Sequence, residues 1–210
     1  MEMARVGLAK AGDRRTNVYR SLDLIREDVE CQVAEQVLLK PNFLSNKNQL
    51  ASTHPDAIRG AIDFLLSTPT PPKEIIIAEG GNEDFSGETF ANFGYPTLQD
   101  EYSVPIRLVD INEETEWEET TIYMAGGVET IVRMPKIVLD CPCTISVAIA
   151  KTHDVCVVTL AQKNMIMGTL HKDDRIKMHG YPSHDERILP SEAQVLNVNL
   201  IRLAQYLKPD

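Results

Sequence analysis

The chain has 210 residues, 43% of them hydrophobic and 25% charged, with a formal net charge of −10; this is globular composition at a length that suits one large domain. So acidic a balance excludes nucleic-acid binding through a broad basic surface, and recognition of an anion has to come from local clusters of Lys, His and backbone N–H groups. No apolar stretch reaches membrane-spanning length and the first residues, MEMAR, lack a signal-peptide core, so a cytoplasmic protein with no membrane partner is expected.

In chain order, residues 6–9 read as a short strand. Residues 16–28 predict a helix, with Val18, Leu22, Ile25 and Val29 at i, i+4, i+7 and i+11. Val37-Leu38-Leu39 is a second strand that stops at Lys40-Pro41-Asn42, because proline supplies no ladder donor. Thr53 offers a helix cap and Pro55 sits in the first turn, where a missing N–H costs nothing. Ile58, Ala61, Ile62, Leu65 and Leu66 then make one apolar stripe, ended by Pro69, Pro71 and Pro72. Residues 75–78 form a third strand running into Glu79-Gly80-Gly81, and residues 85–102 hold two short helical pieces split by Gly94-Tyr95-Pro96. Residues 106–109 are a fourth strand ending at Asp110. The acidic run 113–119 reads as a solvated excursion, and residues 121–124 and 128–132 as a hairpin around Gly126 and Gly127.

Residues 145–149 predict another buried strand, ending at Lys151-Thr152-His153, with a helix over 154–165 behind it. Residues 168–187 have no period and hold His171, His179 and His184, a length of loop that is often functional. The last helix opens with Ser191 and Gln194 at capping-box spacing; Val195, Val198, Ile201 and Leu207 are its expected buried side, and Pro209 stops it. Alternating strands and helices, with strands too apolar to keep a face in water, predict a single α/β domain over residues 1–210. Its expected architecture is a three-layer α/β/α fold with a mostly parallel sheet, plus a β-hairpin near residues 120–133.

The four cysteines, Cys31, Cys141, Cys143 and Cys156, contain no C-x-x-C pair. The four-cysteine run of a ferredoxin-type module is absent, so reduced thiols are expected and no in-chain iron–sulfur cluster.

Four predicted strands end in polar residues: Lys40 and Asn42, Glu79, Asp110, and Lys151 with His153. Loops after parallel strands open along one edge of the sheet, where ligands of open α/β folds bind. A helix from Asp154 would place Thr159 and Lys163 on one face and put Thr152 or His153 at its N-terminus, which attracts anions. Lys163 has largely apolar neighbours. It then needs an anionic partner, from a ligand or from Asp110 or Glu79, unless its ammonium snorkels to the surface. Gly80 and Gly81 permit close backbone approach to a ligand. No phosphate-loop, G-x-G-x-x-G or G-x-S-x-G motif is present.

These residues divide into roles. Lys151 and Lys163 would neutralise a small anionic ligand and His153 would move a proton, which makes the three the catalytic candidates. Lys40, Asn42, Glu79, Gly80, Thr152, Thr159 and Asn164 are the anion- or cofactor-binding candidates. His54, His153 and His179 are the candidate metal ligands, with Asp154 or Glu79 in support. The 168–187 segment would act as a lid.

LLKPNF at 38–43, STHP at 52–55, IIIAEGG at 75–81, MPKIVLD at 134–140, AKTHDVCVVTLAQKNMIMG at 150–168 and HG at 179–180 resemble the domain of unknown function 362 family over nearly the whole chain. The resemblance implies a prokaryotic α/β domain, sometimes joined to ferredoxin-like iron–sulfur modules, without supplying a reaction. It carries over to Lys40, Pro41, Asn42, His54, Glu79, Gly80, Lys151, Thr152, His153, Thr159, Lys163, Asn164 and Gly168. Members of that family continue past the position of Leu207-Lys208-Pro209-Asp210 into a further strand and a glycine-rich segment. This chain is therefore expected to be a short or C-terminally truncated member. Three readings stay open: a small-molecule or redox enzyme, a non-catalytic module holding a metal or flavin-like cofactor for a separate iron–sulfur partner protein, and a structural domain whose Lys and carboxylates are merely paired.

Overall fold

A computed structural model describes residues 4–10, 12–81, 85–86, 88–183, 185 and 191–210, with side chains of the last segment from 194 onward. Its centre is a parallel sheet of β1 (Gln36–Lys40), β2 (Glu74–Glu79), β3 (Ile106–Asp110) and β6 (Thr144–Ser146), in the order β3-β2-β1-β6. Leu38 pairs with Ile76 on one side and Thr144 on the other, and Ile76 pairs with Arg107.

Successive strand residues point to opposite faces, and both faces are covered. Val37, Leu39, Ile75 and Ile77 pack under α1 (Arg14–Asp23), α3 (Pro55–Leu66), α4 (Glu88–Asn92) and α5 (Thr97–Glu101). Leu38, Ile76 and Ala78 face a second layer built from the antiparallel pair β4 (Trp117–Tyr123) and β5 (Glu129–Pro135) with α7 (Ala161–Thr169) and α8 (Ser191–Leu203). The three-layer α/β expectation and the hairpin near 120–133 both hold. Among the described residues no helix is long and apolar enough to cross a membrane.

The strand order places a topological switch between β1 and β6. From β1 the chain crosses to α3 on one face; from β6 it runs on to α7 on the other. Diverging connections leave a crevice at the carboxyl ends of these two strands.

Several local expectations are corrected. Residues 6–9 join no strand, and Val6 and Leu8 are exposed. The helix expected over 16–28 breaks at Ile25 into α1 and α2 (Arg26–Glu30). The cap of α3 is His54, which accepts from the Asp56 N–H through Nδ1 at 3.1 Å; Thr53 instead accepts from Asn42 N and donates to the Val147 carbonyl. The acidic excursion is shorter than expected, since Trp117 already belongs to β4.

The strand expected over 145–149 ends at Ser146, because β1 beside it runs out at Pro41 and offers no further ladder. Behind it there is no helix at Asp154. Lys151–His153 (β7) and Val157–Thr159 (β8) pair as a small antiparallel hairpin, favoured by the β-branched run Val157-Val158-Thr159. The His153 ring closes its turn by accepting from Val155 N and Cys156 N. Val157, beyond that turn, holds φ at +68°, a strained value for a β-branched residue. In α8 the buried face is Leu196, Asn199, Leu200 and Leu203, while Val198 and Ile201 are exposed. The amide of Asn199 explains the rotation: it accepts from Tyr123 N and donates to the Tyr123 and Met178 carbonyls, stitching α8 to β4. The capping side chain expected at Ser191 and the imidazole of His184 lie outside the described residues. The remaining short helix, α6 (Lys136–Leu139), follows β5 directly.

Candidate functional site

The crevice at the switch point opens into a cavity of about 880 Å³, large enough for a cofactor-sized molecule. Asn42 after β1, Glu79 and Gly81 at the end of β2, Asp110 after β3, and Lys151, Thr152, His153 and Thr159 of the β7–β8 hairpin line it. Lys163, Asn164 and Gly168 of α7 and His179 line it as well, whereas Lys40, Gly80 and His54 do not. The dispersed strand ends do meet at one rim.

Beneath the cavity lies a buried ion pair. Lys40 is 0% and Glu79 1% exposed, with Nζ 2.7 Å from Oε2. The ammonium also donates to the Pro41 carbonyl and Asn164 Oδ1. Glu79 in turn accepts from the backbone N–H groups of Phe43, Gly80 and Gly81. Burial draws the Lys40 pKa below its ordinary value, opposed by the charge of Glu79. Asn164 donates to the Lys40 carbonyl and to Ser146 Oγ, which donates onward to the Ala161 carbonyl. Lys40 and Asn164 thus tie β1, β2, β6 and α7 together. Lys40 does not line the cavity, which corrects its expected place against a ligand.

Gly168 leaves room for that pair: a Cβ there would sit 2.5 Å from Lys40 Nζ and 2.9 Å from Cε. Gly168→Ala is expected to destabilise the fold by about 1–3 kcal/mol through overpacking, measured by urea denaturation. Gly80, expected to admit a ligand, instead makes room for the Arg175 guanidinium, which a Cβ would strike. Sequence reading missed Arg175 altogether. This partly buried side chain donates to the carbonyls of Leu170, Gly80 and Gly81 and to Asn112 Oδ1. It pins residues 168–183 as a packed wall with buried Asp174, Met178 and Tyr181. The 168–187 stretch has no period to single it out, and Arg187 shares the segment with it, so the sequence carried no signal for its role.

The cavity wall carries both signs of charge: Lys151, Lys163, Lys172 and Arg175 line it together with Glu79, Asp110, Glu113, Asp154 and Asp173. Lys151 Nζ donates to Asn42 Oδ1 at 2.9 Å. Lys163, largely buried one turn into α7, has no hydrogen-bond or ion-pair partner among the described residues. Burial lowers both lysines below their ordinary value, and for Lys151 the neighbouring Lys163 adds to this. Thr159 is also incomplete: its hydroxyl is buried at 3% exposure and bonds to nothing among the described residues. At β3, burial raises the Asp110 pKa.

His153 is fixed in one tautomer by its two backbone donors. With Nδ1 accepting from Val155 and Cys156, the neutral ring carries its proton on Nε2, and the charged ring has Asp154 Oδ1 3.1 Å from Nδ1. Burial, then the charge of Lys163, lowers its pKa. Between that lowered value and the ordinary 6.5 the unfolded chain binds more protons than the folded one. Stability therefore rises with pH through this window and is lost on acidification. Melting temperature should fall from about pH 7 to about pH 5, and His153→Asn should flatten part of the fall; His171, shifted the same way, keeps its own share.

His54 caps α3 outside the cavity, so it does not join His153 and His179 as a metal ligand. Among the described residues no cluster of three His, Cys, Asp or Glu side chains could hold a metal ion. The N-terminal anion site expected at Asp154 is corrected with the helix that would have made it. Thr159 and Lys163 still share the cavity, one from a strand and one from a helix.

Comparison with known proteins adds the following. The sequence profile described as Domain of unknown function (DUF362) matches residues 37–210. No curated protein matches the chain. Among solved structures, the lactate racemase apoprotein from Thermoanaerobacterium thermosaccharolyticum is similar, with a TM-score of 0.55 and 12% identity. The likeness covers 93% of this chain and 47% of that one, so the chain spans less than half the racemase's length. At this identity the likeness is one of fold.

Proposed function

The chain belongs to the DUF362 family, and from that premise we propose that its switch-point cavity binds a small organic anion, as substrate or as the acidic part of a cofactor. The observation that carries this is Lys163. A largely buried ammonium without an acceptor is costly, and it lines a cavity beside an unpartnered threonine hydroxyl. Both groups lack what a carboxylate or phosphate would supply. Lys151 adds a second charge, held in place by Asn42, and His153 offers an Nε2–H donor.

The occupant's class is a small carboxylate or an anionic cofactor. In support, the fold is shared with an enzyme that racemises lactate, itself a small carboxylate, and whose description as an apoprotein denotes a missing cofactor. Within this reading Lys151, Lys163 and His153 touch the ligand, Asn42 and Thr159 orient it, and Lys40 with Glu79 supports the floor.

The test is titration calorimetry with oxalate as the probe, alongside mass spectrometry of any small molecule that co-purifies. Oxalate should bind, and Lys151→Ala should weaken it by about tenfold or more, ~1.4 kcal/mol. If Lys151→Ala and Lys163→Ala both leave the affinity unchanged, the pocket is not an anion site.

A further inference from the structure

We propose that Lys163 is a nucleophile that captures a carbonyl compound bearing a carboxylate, as an imine, within the cavity. The inference rests on the anion-pocket reading and deepens it by assigning different work to the two lysines.

The lysines differ in their surroundings. Lys151 is half-buried and donates to Asn42 Oδ1, so its charge has an acceptor and a fixed place. Lys163 is the more buried, and no oxygen among the described residues accepts from it. A lysine in that position keeps a larger share of unprotonated amine, the form that attacks carbonyl carbon. Burial is the first cause of its lowered pKa, and Cys156 and Asp154 only partly offset it.

The second, independent observation is the Thr159 hydroxyl, 3% exposed, unpartnered and lining the same cavity. A ligand seated against Lys163 supplies this hydroxyl with a partner: the carboxylate of a 2-oxo acid, or the hydroxyl formed from its carbonyl. Lys151 faces the same space and meets the carboxylate.

The step balances without a co-reactant. The amine lone pair of Lys163 forms the C–N bond as the carbonyl π pair moves onto oxygen, which takes one amine proton to give the carbinolamine. Loss of that hydroxyl with the second amine proton, as water, leaves the C=N bond. Protonation of the imine restores a positive charge at the same atom, so covalent capture does not weaken the attraction for the carboxylate.

The experiment uses the full chain with glyoxylate and cyanoborohydride, which reduces an imine to a stable secondary amine, and maps labelled lysines by peptide mass spectrometry. Lys163 should be labelled ahead of exposed lysines by about fivefold or more, because a lowered pKa leaves more of it as free amine. Oxalate should protect it, Thr159→Val should slow it, and Lys163→Arg should abolish the fast phase while the circular dichroism spectrum is retained. Labelling of Lys163 no faster than that of Lys10 or Lys73, or a fast phase that survives in Lys163→Arg, overturns the assignment. Oxalate calorimetry on the same samples then decides separately whether the anion pocket itself stands.

Discussion

Glu79→Ala should cost the domain about 3–5 kcal/mol, the usual penalty for breaking a buried ion pair by removing one partner. The expected loss is large because four donors lose their acceptor at once: the Lys40 ammonium and the N–H groups of Phe43, Gly80 and Gly81. Lys40 has 0% exposure, so no water reaches its ammonium without displacing the floor of the cavity. Set against a typical stability of roughly 5–15 kcal/mol, this loss brings the folded state near its limit. Chemical denaturation followed by circular dichroism measures it. Lys40→Met should cost less, because three backbone donors remain to satisfy the carboxylate. A Glu79→Ala protein as stable as the parent would show that the pair does not hold the strands.

Lys163→Met should act in the opposite sense on stability while removing binding. Methionine keeps the length and apolar contact of the side chain but drops a charge for which the described residues provide no acceptor. Such replacements stabilise by roughly 1–4 kcal/mol, and the low end is expected here because Lys163 keeps partial access to solvent. Oxalate affinity should fall by about 2–5 kcal/mol, roughly thirtyfold or more in Kd. Thermal melting with and without oxalate reads both effects on one sample. A higher melting temperature together with lost ligand response is the mark of a residue kept for binding at the expense of the fold. A lower melting temperature in the absence of ligand would mean that the ammonium has a structural partner.

The sheet was legible because its strands are buried on both faces. Val37-Leu38-Leu39 and Ile75-Ile76-Ile77 could only be strands roofed from above and below, and the polar residues after them had to share an edge. Lys40 was misjudged from the same pattern. Its neighbours show that a strand ends there, but whether its ammonium points to the rim or under it depends on Glu79, 39 positions away, and on the absence of a Cβ at Gly168. The segment 154–160 fits both periods: its apolar residues suit a helix, and its β-branched ones suit a strand. The tie was broken by a contact periodicity does not contain, the His153 ring accepting two backbone N–H groups. In α8 the apolar residues Val198 and Ile201 pointed outward because Asn199, a polar residue, had distant backbone partners at Tyr123 to satisfy. Thr159 and Lys163 were grouped correctly for a reason that did not hold, since a strand and a helix bring together what one helix was expected to present.

The β7–β8 hairpin belongs to neither the central sheet nor the β4–β5 pair, and three residue pairs hold it together. Two strands of that size are barely self-supporting in water. The hairpin that carries residues 151, 153 and 159 is therefore held by packing, with Val155 in the core and Thr159 buried. A guest touching both the hairpin and α7 would add contacts that the paired strands lack by themselves, so occupancy should slow hydrogen exchange of the 151–159 amides.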